Sequence, residues 1–183
     1  MGMKGNSYMK QRIGLTVILL LFLSSLPSIA QYNENVIKAA YIERITRFVE
    51  WPTRDSHLVI DQFVIGVYGE AEFYNTLIEV FKDKSIKELK VKIISVNSPE
   101  QLSGCNLCYI SQKAKPLISA FIVRANSSGV LLISGTDGFC KAGVHINFYI
   151  EDEMLKFEIN EKSLISAGFK VSYLLMQNTR IIQ

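Results

Sequence analysis

Residues 63–81 read FVIGVYGEAEFYNTLIEVF, and the change of period inside this stretch decides the fold. The first six residues form an unbroken apolar run of branched and aromatic side chains. That is the pattern of a strand buried on both faces, since a half-wet strand would alternate with polar residues. Gly69 ends the run. From Glu70 to Phe81 the spacing becomes helical, with Phe73, Leu77, Ile78, Val80 and Phe81 recurring at helical steps and acids at Glu70 and Glu72, where the positive end of the helix dipole favours them.

The same alternation continues downstream. Residues 91–96 (VKIISV) read as a strand closed by the breaker cluster Asn97, Ser98 and Pro99. Residues 107–111 are a third strand, 116–124 a helix with Leu117, Phe121 and Ile122 inward, and 130–134 a fourth strand. Short strands alternating with helices predict an α/β fold: one domain, a mainly parallel sheet and helices on both faces. The last third differs. Residues 144–150 (VHINFYI) and 154–159 (MLKFEI) flank the acidic turn Glu151, Asp152 and Glu153, which predicts a C-terminal antiparallel hairpin. Val144, Ile146 and Phe148 are expected on one face of its first arm, His145, Asn147 and Tyr149 on the other. Asn160 can cap a helix from Glu161, Gly168 can end it, and Ser172 can cap a final helix carrying Leu174, Leu175 and Ile181.

Upstream, Val36, Ile37, Ala40, Tyr41, Ile45, Phe48 and Val49 repeat at three- and four-residue steps, with Glu43 and Arg47 placed as an i,i+4 pair. This predicts an amphipathic helix over 33–51, stopped at Trp51 because Pro52 disfavours helical backbone before it. Further back, the order is cations at Lys10 and Arg12, an apolar run from Ile13 to Leu23, the breaker Pro27, then small residues at Ser28 and Ala30. That is the layout of a secretory signal, so residues 1–30 are expected to be cleaved near Ala30, leaving 31–183 as the working domain in the periplasm. As a helix the run spans about 16 Å at ~1.5 Å per residue, short of the roughly 30 Å needed to cross a bilayer.

The formal charge is +3, and the surplus cations Lys4, Lys10 and Arg12 all lie in this leader. The remainder is balanced. A nucleic-acid partner is therefore not expected, nor insertion into the membrane after cleavage.

Three stretches together resemble the YfiR-like family of bacterial periplasmic proteins. They are KAAY at 38–41 leading to RFVEWP at 47–52; GCNLCYI at 104–110; and GVHINF at 143–148 with LKFEIN at 155–160 and AGFKVSYLL at 167–175. The resemblance implies an α/β periplasmic regulator that is not an enzyme. It implies a homodimer that binds an inner-membrane signalling protein, a diguanylate cyclase or sensor kinase, and holds down cyclic-di-GMP synthesis and biofilm formation. An alternative is an extracytoplasmic small-molecule sensor with a pocket near Trp51. The partner- or ligand-binding candidates are Trp51, Glu50 and Phe48.

The residues themselves offer little chemistry. A nucleophile needs an adjacent base, usually histidine, and only His57 and His145 exist, the first in a polar stretch and the second on a strand. No catalytic residue and no cofactor are expected. Cys105, Cys108, Cys140 and His145 have the types of a Cys₃His zinc site, yet residues three apart on a strand point to opposite faces, so no metal site is expected either. In an oxidising compartment a disulfide is the better reading, and Cys105 with Cys140 is the candidate pair because both lie at strand ends; the odd count leaves a free thiol. Gly135 to Gly143 lacks the Lys-Ser/Thr of a phosphate loop and is expected to lead into a strand, with φ > 0 at its glycines.

Overall fold

The run at 63–68 becomes an interior strand of the sheet in a computed structural model that describes residues 27–53, 61–177 and 179–182. The elements are α1 (Pro27–Phe48), β1 (Val49–Glu50), β2 (Gln62–Tyr68), α2 (Ala71–Phe81), β3 (Ser85–Ile86), β4 (Leu89–Val96), β5 (Leu107–Ile110), α3 (Ile118–Ser128) and β6 (Leu131–Ser134). They continue with α4 (Phe139–Ala142), β7 (Ile146–Glu151), β8 (Met154–Asn160), α5 (Glu161–Ser166), β9 (Lys170–Val171), α6 (Tyr173–Met176) and β10 (Arg180–Ile182). Two 3₁₀ segments, Pro99–Gly104 and Gln112–Leu117, lead into β5 and α3. Residues up to Glu34 group apart from those of Asn35–Gln183, and the packing described here belongs to the latter.

Eight strands form one sheet in the order β10-β8-β7-β6-β5-β2-β4-β3. The five from β4 to β7 are mutually parallel. β7 and β8 form the expected hairpin, closed by a two-residue turn in which Asp152 and Glu153 both have positive φ, and β10 returns parallel to β8. A separate two-stranded ladder pairs β1 with β9.

Side-chain parity explains why the central strands read as continuous apolar runs. Phe63, Ile65 and Val67 of β2 lie with Leu107 and Tyr109 of β5 and Leu131 and Ile133 of β6, in a core closed by Ala39, Ile42 and Ile45 of α1 and Phe73, Leu77 and Phe81 of α2. The alternate residues, with Cys108 and Ile110 of β5 and Leu132 of β6, join Leu102, Phe121, Ala125 and Phe139 in a second core on the other face. Each fully buried Phe, Leu or Ile contributes about 1.5–3 kcal/mol relative to exposure. Gly66 makes the second layer possible: a Cβ there would lie 2.7 Å from Val96 Cγ2 and 2.9 Å from Cys105 Sγ.

The structure corrects several boundaries. Pro27 stands at the start of α1, at a position where a missing N–H costs nothing, and the apolar run before it lies outside the described residues. The helix ends at Phe48, three residues before Trp51, because Val49 and Glu50 are taken up by pairing with Val171 and Lys170. Its buried stripe is also rotated by about one residue. Asn35, Lys38, Ala39, Ile42, Ile45 and Thr46 are buried while Ile37 is exposed. The polar members fit because this side of α1 reaches the end of β6, where the Cβ direction of Gly135 points to Lys38 Nζ at 3.5 Å and Tyr109 Oη at 3.0 Å.

Gly138 leads into the four-residue α4, not directly into a strand; Gly138 and Gly143 flank it with φ of 79° and 116°. Val144 precedes β7 and joins the core on the opposite face from Ile146 and Phe148. Ile181 lies in β10 instead of the last helix, which stops at Met176. The two caps are as expected: Asn160 Oδ1 accepts from Ser163 N, and Ser172 Oγ from Leu174 N.

Candidate functional site: the face around the β1–β9 ladder

After α5 the chain turns at Gly168, whose φ is +80° and whose Cβ direction meets Pro52 at 3.2 Å, so a side chain would be both strained and crowded there. This turn lays β9 along β1 in antiparallel register, Val49 opposite Val171 and Glu50 opposite Lys170. Ser172 N extends the ladder by donating to Phe48 O at 2.9 Å. The three sequence candidates lie on or beside the ladder, in different roles. Glu50 is exposed beside Lys170, Phe48 is half-buried against the core, and Trp51 turns inward.

Trp51 is locked on several sides. Its Nε1–H donates to Asn106 O at 2.8 Å, it makes edge contacts with Phe63 at 5.4 Å and Phe169 at 6.0 Å, and Lys87 Nζ sits 5.3 Å from the ring centroid. A tryptophan held this way anchors the fold. Lys87 comes from the turn between β3 and β4, where Lys87 and Glu88 both have positive φ.

Beyond Phe169 lies a groove of about 340 Å³ lined by Ile159, Leu164, Ile165, Phe169, Val171 and Met176, with Glu161 and Lys170 at its polar side. Ile165 is 66% exposed, Tyr173 72% and Leu174 64%. Large apolar side chains this exposed, beside an apolar groove, mark a surface suited to another protein. None of these groove residues was singled out in the sequence. They come from β8, α5, β9 and α6, and the third resemblance stretch covers Ile159, Phe169 and Val171 but not Leu164, Ile165 or Met176.

The cysteines and histidine are interior. His145 Nδ1 accepts from Leu132 N at 3.0 Å, and Nε2, which then carries the proton, donates to Asn126 Oδ1 at 2.9 Å. Burial lowers its pKa to about 3, so it is neutral and structural. His57 lies outside the described residues.

All three cysteines are buried and the structure records no disulfide among them, so it gives the expected Cys105–Cys140 bond no support. Cys105 precedes its strand instead of lying on it. Its sulfur and that of Cys108 therefore approach the same residue, Gly66, where strand alternation alone would set them on opposite faces. Burial raises the Cys108 thiol well above its ordinary range, and burial with nearby Glu158 pushes Cys140 up to about 12. Protonated thiols of this kind are poor nucleophiles and poor metal ligands. Among the described residues no group of three or more His, Cys, Asp or Glu could hold a metal ion, and no helix is long and apolar enough to cross a membrane.

The fold resembles a crystal structure of a conserved domain protein from Vibrio cholerae O1 biovar El Tor, with TM-score 0.54 and 10% identity, covering 79% of this chain and 60% of that one. A weaker likeness, TM-score 0.49 and 11% identity, is to an ABC domain in complex with L-Trp from Streptococcus pneumonia, covering 68% of this chain and 57% of that one. The chain thus spans less than two thirds of either structure. A search of curated proteins gives no match. The family profile described as "DUF4154: YfiR/HmsC-like" matches residues 35–180, from within α1 into β10. The chain belongs to the YfiR/HmsC-like family.

Proposed function

We propose that this protein is a periplasmic regulator that docks on the extracytoplasmic region of an inner-membrane diguanylate cyclase and holds down cyclic-di-GMP synthesis. The family membership carries this reading, because YfiR-like proteins are regulators of membrane signalling proteins and not enzymes. The groove beside the β1–β9 ladder adds a place for the contact. An apolar trough lined by exposed Ile165, with Glu161 and Lys170 at its polar side and exposed Tyr173 and Leu174 on α6, which supplies Met176 to it, matches the apolar centre and charged rim of a protein interface. In the same reading the leader is removed near Ala30, the mature chain is a homodimer, and the partner is encoded beside it.

The decisive experiment is binding of the mature protein to the purified periplasmic region of the neighbouring cyclase. Saturable binding is expected, and Ile165→Asp with Leu174→Asp should weaken it at least tenfold while leaving the circular dichroism spectrum unchanged, since both side chains are exposed. Absence of binding by the wild-type protein sinks the regulator reading. Binding unaffected by the double substitution moves the interface away from this groove.

A further inference from the structure

The two outer borders of the large sheet are finished differently. On one side β10 lies along the end of β8; on the other, β3 covers only the beginning of β4, with Ile86 opposite Leu89 and Ser85 opposite Lys90. β4 runs on to Val96, paired with β2 along its inner side, and no described strand lies on its outer side beyond Lys90.

The turn between β3 and β4 fixes which backbone groups face outward. Lys87 and Glu88, with φ of 50° and 66°, make a two-residue hairpin turn of the kind whose closing residues, here Ile86 and Leu89, exchange both backbone hydrogen bonds. The N–H and C=O of Leu89 therefore point towards β3. Because these directions alternate along a strand, those of Ile93 and Ser95 point the same way, past the end of β3, while Lys90, Lys92 and Ile94 turn theirs to β2. Lys84, the residue before β3, donates its N–H to Phe81 O instead of to β4. Among the described residues, the outward groups of Ile93 and Ser95 have no hydrogen-bond partner.

An open edge of this kind accepts an added strand, and the flanking side chains select which one. Lys90 and Lys92 are exposed on one face of β4; Val91 and Ile93, on the other, are half-buried against the core that holds Phe73 and Leu77 of α2. From residue 82 to residue 92 five lysines stand against two acids, Asp83 and Glu88, and β4 itself holds no acid. A second copy is a poor occupant. Joined to its counterpart through these outward groups, β4 would set Lys90, Lys92 and both of their equivalents on one face with no carboxylate between them.

We infer that the outer edge of β4 docks an extended acidic segment of another protein, which adds to the eight strands as one more. Its carboxylates face Lys90 and Lys92, and the apolar residues alternating with them cover Val91 and Ile93. This site shares no residue with the groove beside the β1–β9 ladder.

The test is a titration of ¹⁵N-labelled mature protein with a capped octapeptide alternating glutamate and valine, against its lysine–valine counterpart, read by amide shifts and hydrogen exchange. The glutamate peptide is expected to bind saturably, at least tenfold more tightly than the lysine peptide, and to slow exchange at Ile93 and Ser95 at least tenfold. Lys90→Glu with Lys92→Glu, both at exposed positions, should reverse the preference between the peptides. Ser95→Pro removes an N–H that faces solvent, a substitution an edge strand accepts, and should abolish binding. Should the proline disturb the circular dichroism spectrum, the charge reversal decides alone. The inference is overturned if the glutamate peptide fails to bind at millimolar concentration, if the two peptides bind equally, if charge reversal leaves their order unchanged, or if folded Ser95→Pro protein binds as well as the unsubstituted one. It is also overturned if Ile93 and Ser95 exchange slowly before any peptide is added: slowing that grows with protein concentration puts a second copy on the edge, and slowing independent of it puts a segment of this chain there. No arm uses the cyclase, so the regulator reading stands or falls separately.

Discussion

Asn106 ties three parts of the fold with one side chain and one peptide unit. Its Oδ1 accepts from Val64 N at 2.8 Å while its own N donates to Val64 O, so it continues the β2–β5 pairing beyond the end of β5; its carbonyl accepts from both Leu131 N and Trp51 Nε1. Asn106→Ala would leave Val64 N without an acceptor and should cost about 1–3 kcal/mol. Asn106→Asp, which keeps the oxygen, should recover part of that, read from urea midpoints at constant slope. Equal losses for the two would show that the oxygen does not matter.

His145 gives a pH signature. Its folded pKa, about 3, lies below the unfolded value near 6.5, so between these limits the unfolded chain binds the extra proton and stability falls as pH falls. From pH 6.5 to 5 the loss should be about 2 kcal/mol, at ~1.4 kcal/mol per pH unit. His145→Gln will be less stable at pH 7 but should have a flatter profile over that window; an unchanged slope would assign the titration elsewhere.

The long elements were legible because their residues repeat a period often enough to be read. β2, α2, β4, β5 and the β7–β8 hairpin all appear where the apolar pattern puts them, within a few residues. The two- and three-residue strands β1, β3, β9 and β10 were not legible, since so few residues carry no period and exist only through their partners. The same limit hid the candidate sites. Trp51 and Glu50 stood out as part of a motif, but the groove needs β8, α5, β9 and α6 placed side by side. Polar residues misled in α1, where Lys38 and Asn35 are buried and Ile37 is not.

Between elements, a tight fit lies at Gly66. Gly66→Ala should destabilise by about 1–3 kcal/mol through overpacking against Val96 and Cys105. Adding Cys105→Ala should return part of the loss by making room for the methyl group. Additive losses in the double variant would place the conflict at Val96 instead.

At the scale of the whole molecule, the sheet ends at both sides in very short strands, β3 with two residues and β10 with three. β10 also carries charge. Arg180 donates to Glu151 Oε1 at 2.6 Å, approaches Glu158 at 3.8 Å and lies over the Tyr149 ring at 4.1 Å. A row of unpaired backbone groups on a long outer strand is a template for another chain, and a short charged strand laid over it removes the template. Residues Arg180–Ile182 therefore act as a selvedge that keeps the Glu158–Asn160 end of β8 from being extended by a neighbour. Truncation before Arg180 should leave a folded chain that self-associates as its concentration rises, visible by sedimentation velocity. The residues that finish the sheet are those that keep it from growing.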